Sequence, residues 1–292
     1  MDTQGATLPV AARPPSPFTS LFDDDWRVGL ALPENFAQVL GSRWVIPDRA
    51  DRPYVAVGFA VSRDGRVSFA EPGHAGGGDV SGFNAHDQWI MALTRARADV
   101  ILVGDGTLRA EPEHLWTHEY IWPAQAEAFQ QLRHREGRAD KPVTAFLSVE
   151  GDVPPHALVF AQPGARVLVL TTQVGAALAH ERTRHAAADV EIRVYGAHSV
   201  DIRAALADLS VAGHHTVMCE GGPRVYGSFL AAGCVDDELV ALSPLVIGGS
   251  ESTRRPSLVE GVAFSHDSHP ASRLVSLVRA GNHLFLRSAY QD

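Results

Sequence analysis

Cysteine is scarce in this sequence: its 292 residues hold two, Cys219 and Cys234. A disulfide framework is therefore excluded, and the chain suits a reducing cytoplasm. The same scarcity removes the His-x-Glu and Pro-Cys-x-x-Cys signature of zinc deaminases. No apolar run reaches the ~18 residues of a membrane span. The N-terminus lacks a basic region followed by an apolar core, so no signal peptide is expected. Positive charge is also in short supply: 25 Lys and Arg against 34 Asp and Glu give a net charge of −9. General nucleic-acid binding is excluded on that balance, and an anionic ligand would need a local positive site. There is no Gly-x-Ser-x-Gly elbow to anchor a hydrolase triad. His114 and His118, spaced i,i+4 in "HLWTH", have no accompanying ligand set, and no metal is expected.

What is present is an ordinary globular composition, 45% hydrophobic and 20% charged, enough for one large domain or two small ones. Residues 1–50 differ from the rest. "AARPPSPFTSLFDDDW" is proline-rich and then acidic, and it reads as a partly disordered N-terminal arm, with residues 1–15 the disordered portion, that packs across the main domain or a partner subunit. From residue 51 to 292 apolar strands alternate with helical patterns. "YVAVGFAV", "DVILVG", "PVTAFLSV", "ARVLVLTT" and "VEIRVY" read as strands, and residues 83–98, 123–136 and 174–187 as helices. "DELVALSPLVIGG" and "SRLVSLVRAGNHLFLRS" follow without an intervening helix, the second as a hairpin around Ala280-Gly281-Asn282. The pattern predicts an α/β fold with a mostly parallel central sheet flanked by helices and antiparallel C-terminal strands.

The most informative stretch is "HHTVMCEGGPRVYGSFLAAGCVDDE", residues 214–238. Thr216 to Cys219 reads as a buried strand. Pro223 suits a first helical turn, and Val225, Phe229 and Ala232 share one helix face. Gly221 and Gly222 therefore lie between a strand and a helix N-terminus, where free N–H groups favour an anion. A tight turn without a ligand explains the same residues. Two other glycine stretches fail as motifs. "VGDGTLRAEP" has Arg109 where a dinucleotide fingerprint needs a third glycine, and Pro112 interrupts any immediate helix. "IGGSESTRRP" lacks the Gly-Lys-Ser/Thr ending of a P-loop.

Taken in order, "FAVSRDGRV" (59–67), "SG" (81–82), "RARADVILVGDGTLRAEP" (95–112) and "CEGGPRVYGSFLAAGCVDDELVALSPLVIGG" (219–249) resemble the pyrimidine reductases of riboflavin biosynthesis. The resemblance spans roughly residues 50–290 and implies a dihydrofolate-reductase-like fold, NADPH as cofactor and a small-molecule substrate. It implies diphosphate contacts for Gly221, Gly222, Pro223 and Arg224, and cofactor contacts for Gly104 and Thr107. Thr171 and Thr172 fall where the adenosine ribose and 2′-phosphate are held. Glu220 and Asp64 are the implied groups for substrate orientation or proton delivery. Ser62, Arg66, Ser81, Arg109 and Glu111 are implied on the substrate side. After Thr107 the chain departs from the family pattern, losing an acidic or amide position and an arginine that grip a ribosyl phosphate. Three outcomes stay open: the riboflavin-pathway enzyme, a same-fold reductase of a pterin or another heterocycle, and a non-catalytic nucleotide-binding protein. A cytoplasmic homodimer is expected.

Overall fold

The computed structural model describes residues 15–290. The first segment forms β1 (Thr19–Asp23), β2 (Leu30–Ala31), α1 (Glu34–Leu40) and β3 (Val45–Ile46). It is followed by β4 (Tyr54–Val61), α2 (Gly77–Ser81), α3 (Ala85–Ala96), β5 (Val100–Gly104), α4 (Asp105–Ala110), α5 (His118–Ile121) and α6 (Ala126–Arg135). Next come β6 (Val143–Leu147), β7 (Arg166–Thr171), α7 (Ala176–Thr183), β8 (Asp189–Val194), α8 (Ile202–Val211), β9 (Thr216–Cys219) and α9 (Pro223–Ala231). β10 (Asp237–Leu242), β11 (Ser272–Ala280) and β12 (His283–Tyr290) close the chain. No helix among the described residues is long and apolar enough to cross a membrane.

Ten strands make one sheet in the order β1-β11-β12-β10-β4-β9-β5-β6-β7-β8. All pairings from β10 to β8 are parallel. β10–β12, β12–β11 and β11–β1 are antiparallel. This is the mostly parallel sheet with antiparallel C-terminal strands that the alternating pattern predicts. The continuous apolar runs follow from burial on both faces: every residue of β5, β6 and β9 is buried. The β11–β12 turn falls at Gly281-Asn282, as expected, with Gly281 at φ +58°.

Two local expectations need correction. The strand expected over 237–249 ends at Leu242, because Pro244 lacks the N–H a ladder requires. Pro112 does not prevent a helix after β5: α4 completes itself by Ala110, before the proline is reached. Residues 15–50 pack across the main domain, the first of the two placements expected for this segment. β1 adds an edge to the main sheet, and Phe18, Phe36, Leu40 and Trp44 join Trp89 and Phe129 in one apolar cluster. Fully burying such side chains stabilises by roughly 1.5–3 kcal/mol each. The expected disorder of residues 1–15 concerns positions 1–14, which lie outside the described residues.

Buried ion pairs fasten this first segment. Asp25 accepts from Arg27 Nε at 2.8 Å and from Arg287 Nη1 at 2.7 Å, and Arg27 also pairs with Asp237. Asp236 receives Arg52 Nη1 at 2.6 Å and the Val55 N–H at 2.7 Å, and pairs with Arg49. The segment is thereby tied to β4, β10 and β12.

Candidate active site

The parallel strands β4, β9 and β5 lie side by side, and a cavity of about 700 Å³ opens where they end. In α/β sheets this edge is where ligands bind. Gly104 closes β5 and Glu220 follows β9 directly, so strand termini deliver both to the cavity wall.

The Gly221-Gly222 turn divides into two roles. A Cβ at Gly221 would stand 2.4 Å from Val103 Cα, so this glycine permits close contact with β5 and does not line the cavity. Gly222, at φ +53° and ψ 139°, turns the chain into α9 and does line it, with Pro223, Arg224 and Val225. No side chain caps α9, and its first intrahelical bond runs from Tyr226 N to Gly222 O at 3.1 Å. The Arg224 and Val225 N–H groups thus stand at the positive end of a nine-residue helix beside the cavity. Gly104 and Thr107 line the same cavity, and Thr107 Oγ1 lies 3.6 Å from where a Gly222 Cβ would be. These residues form a cradle suited to the diphosphate of a dinucleotide.

Thr171 and Thr172 are placed elsewhere. Both are fully buried, and their hydroxyls donate to the Val149 carbonyl at 3.4 and 2.7 Å. Thr172 Oγ1 also accepts from Gly175 N at 3.1 Å. They brace the β7 end and offer nothing to a 2′-phosphate. Nearby Arg182 is occupied by Asp152 at 2.9 Å.

The first-strand motif forms a clamp and not a cavity wall. Asp64 accepts from Ser62 Oγ at 2.7 Å, Ile247 N at 2.9 Å and Gly248 N at 2.6 Å. The Ile247 amide, the Ser62 hydroxyl and the Gly248 amide together hold its pKa down to about 2. That carboxylate anchors the loop after β10 and is unsuited to proton delivery. Arg66 donates to the Arg255 carbonyl at 3.0 Å, and Arg109 to the Asp152 carbonyl at 2.7 Å, with Asp105 at 3.2 Å. None of Ser62, Asp64, Arg66 and Arg109 lines the cavity. Ser81 is buried and does not line the cavity; its hydroxyl donates to the Gly78 carbonyl at 3.2 Å. Glu111 and Glu220 do line it.

The rest of the polar wall comes from α3. Asn84 caps this helix, its Oδ1 accepting from His86 N at 2.9 Å and Asp87 N at 3.2 Å. Asp87, Met91 and Arg95 then recur at i, i+4 and i+8 on one face and reach the cavity together. Arg95 is 1% exposed, and its fork is fully engaged. Nε and Nη2 donate to the two Glu220 oxygens at 2.8 and 2.7 Å. Nη2 also reaches His114 Nε2 at 2.9 Å, while Nη1 donates to the Leu115 and Thr117 carbonyls at 3.3 and 3.2 Å. Burial, reinforced by the charge of Glu220, pushes Asp87 up to about 6 against the pull of Ser81. Burial likewise raises Glu111, with Arg95 opposing and Glu220 assisting. Neither the Glu111 carboxylate nor the Gln88 amide finds a hydrogen-bond partner among the described residues, and Gln88, 7% exposed, also borders the cavity. Asp87, Gln88 and Arg95 escaped the sequence reading, which weighed His114 only as a metal ligand. The available signal was charge on the core face of a helix, where Arg95 and Asp87 interrupt an apolar stripe.

With this geometry in place the class can be stated: residues 53–286 match the profile of the RibD C-terminal domain, and the chain belongs to that family. Among individual proteins it is 27% identical over 218 residues to the 2,5-diamino-6-ribosylamino-4(3H)-pyrimidinone 5′-phosphate reductase of Archaeoglobus fulgidus, covering 73% of this chain and 89% of that one. It is 27% identical over 254 residues to the riboflavin biosynthesis protein RibD of Bacillus amyloliquefaciens, spanning 84% of this chain and 59% of the relative. In structure it resembles a pyrimidine reductase-like protein from Corynebacterium diphtheriae, with a TM-score of 0.64 at 18% identity over 83% of this chain and 93% of that one. Acinetobacter baumannii RibD gives a TM-score of 0.58 at 18% identity, over 83% and 59% of the respective chains.

Proposed function

We propose that the protein is an NADPH-dependent reductase that reduces a C=N or C=O bond of a ribosylamino-pyrimidine in riboflavin biosynthesis. The observation that carries this reading is the uncapped N-terminus of α9, opening at Gly222 onto a cavity at the ends of the parallel strands. Membership of the RibD C-terminal domain family and the names of the relatives support the reaction class. Bound NADPH supplies the hydride from its nicotinamide C4. The Arg224 and Val225 N–H groups hold the diphosphate, with Gly104 and Thr107 beside it. NADPH is retained on the family resemblance, since Thr171 and Thr172 no longer provide a basis for it. Arg95 fixes the Glu220 carboxylate against the substrate. Asp87 gives the proton that the substrate heteroatom requires when the carbon accepts hydride, and it recovers that proton from solvent. Arg224 on the cavity wall supplies positive charge for a 5′-phosphate, with Arg254, which pairs with Glu260 at 2.7 Å, beside it. The same reading makes the enzyme a cytoplasmic homodimer, for which exposed Leu21 and Phe22 on edge strand β1 offer apolar surface.

A second reading, a pterin or other heterocycle without phosphate, is favoured by the carboxyls of Asp87, Glu111 and Glu220 on one wall. Following NADPH absorbance with the phosphorylated pyrimidine, its dephosphorylated form and a pterin separates the two. Consumption with the first supports the pathway enzyme, and consumption with the pterin alone supports the second reading.

A further inference from the structure

The loop from Glu111 to Thr117 carries a histidine whose state is fixed by its neighbours. His114 lines the cavity, and its ring is held between Tyr120 at 4.7 Å and Trp116 at 5.1 Å. Its backbone N–H closes a turn on the Glu111 carbonyl at 3.1 Å. Arg95 Nη2 approaches His114 Nε2 at 2.9 Å. A guanidinium has donors and no acceptor, so Nε2 must accept. Burial and then the Arg95 charge push the imidazole pKa well below its ordinary value. A neutral ring that accepts at Nε2 carries its proton at Nδ1. Among the described residues that N–H has no hydrogen-bond partner, and the carboxyls of Glu220, Glu111 and Asp87 line the same cavity.

The geometry points to His114 as a substrate-binding residue, positioned by Arg95, whose Nδ1–H donates to a carbonyl oxygen or unprotonated ring nitrogen of the heterocycle. This rests on the reductase reading and adds a substrate-binding residue to it. The wall pairs this neutral donor with the Glu220 carboxylate that Arg95 holds, matching a heterocycle that offers an acceptor beside an N–H donor. A neutral imidazole can donate to such an acceptor without placing a second cation beside Arg95. Arg95 has no donor left for substrate, so its part is to set the positions of His114 and Glu220.

Two measurements on the NADPH-loaded protein test this. The first is the 15N–1H correlation spectrum of the histidine side chains at neutral pH, with His114 assigned by its absence in a His114→Gln variant. An Nδ1-protonated neutral ring is expected. An Nε2-protonated or doubly protonated ring overturns the inference whether or not turnover is seen. The second is steady-state kinetics with the ribosylamino-pyrimidine. Losing one such hydrogen bond should raise KM about tenfold in His114→Phe while kcat stays within about twofold. His114→Gln, which can both accept from Arg95 and donate onward, should recover most of the loss. Equal KM in His114→Phe and the unaltered protein would overturn the assignment, as would equal loss in both variants. Failure of the reductase reading shows separately, as no NADPH consumption by the unaltered protein.

Discussion

The molecule buries charge in two places, and the two are built in opposite ways. Around Asp25, Arg27, Asp236, Asp237 and Arg287 every carboxylate meets a guanidinium, and the cluster ties the N-terminal segment to the sheet. Burial alone would raise the Asp25 pKa, yet the hydrogen bond from Arg27 and the charge of Arg287 hold it far below the usual carboxylate range. Around Arg95 the carboxyls exceed the cations: Glu220 takes the guanidinium, while burial leaves Asp87 and Glu111 raised. Saturated pairs hold a structure together, whereas buried groups with unused capacity mark a place built for a ligand or a proton.

Breaking the saturated cluster should give the largest effect. Asp237→Asn leaves Arg27 and Arg287 without a full partner and should cost about 3–5 kcal/mol in denaturant unfolding. Acid acts in the same direction. Because folding depresses the Asp25 pKa, its contribution is present above its ordinary value of 3.8 and is lost as pH falls below it.

The unsaturated cluster should respond with the opposite sign. Folding raises the Asp87 pKa from 3.8 to about 6, so the folded state holds the extra proton and stability falls as pH rises through that window. Asp87→Asn should therefore stabilise the protein by about 1–3 kcal/mol at neutral pH while abolishing most turnover. In the unaltered enzyme the rate should decline as pH rises through about 6, a limb that the variant lacks.

Smaller changes sharpen the boundary of the site. Gly222→Ala places a Cβ at φ +53° and should cost about 1–3 kcal/mol of strain, read as weaker NADPH binding by calorimetry. Gly221→Val would instead strike the β5 backbone and should lower stability before any binding is measured. Thr172→Val should cost about 1 kcal/mol of stability and leave the NADPH-to-NADH preference unchanged. Arg109→Ala should alter stability by less than about 0.5 kcal/mol and leave KM untouched.

The elements of the parallel sheet were legible because their signals are local. "VILVG" is an unbroken run without a polar side chain and "TVMC" has Thr216 as its one polar residue, and Asn84 and Pro223 mark helix starts by their own chemistry. The N-terminal strand was not, since β1 has no buried face of its own and exists through its pairing with β11. Gly222 was readable from its place between a strand end and a helix start, whereas Thr107, Glu111 and Glu220 came from the family resemblance; all four line the cavity. Asp64 and Thr172 misled because a hydroxyl or carboxylate beside a turn serves a ligand or the backbone equally well, and only the partners at Ile247 and Val149 decide. Asp87, Arg95 and His114 stayed hidden because their meaning arises from contacts between α3, β9 and the loop after α4, which no single stretch contains.

The central claim is that the cavity at Gly222 and Glu220 binds NADPH and passes its hydride to a ribosylamino-pyrimidine. The most direct test is NADPH absorbance over time with purified protein and the phosphorylated substrate. The account predicts steady consumption that Asp87→Asn abolishes and that Arg224→Ala with Arg254→Ala slows through KM. Tight NADPH binding with no consumption, under conditions where the protein is folded, would contradict it.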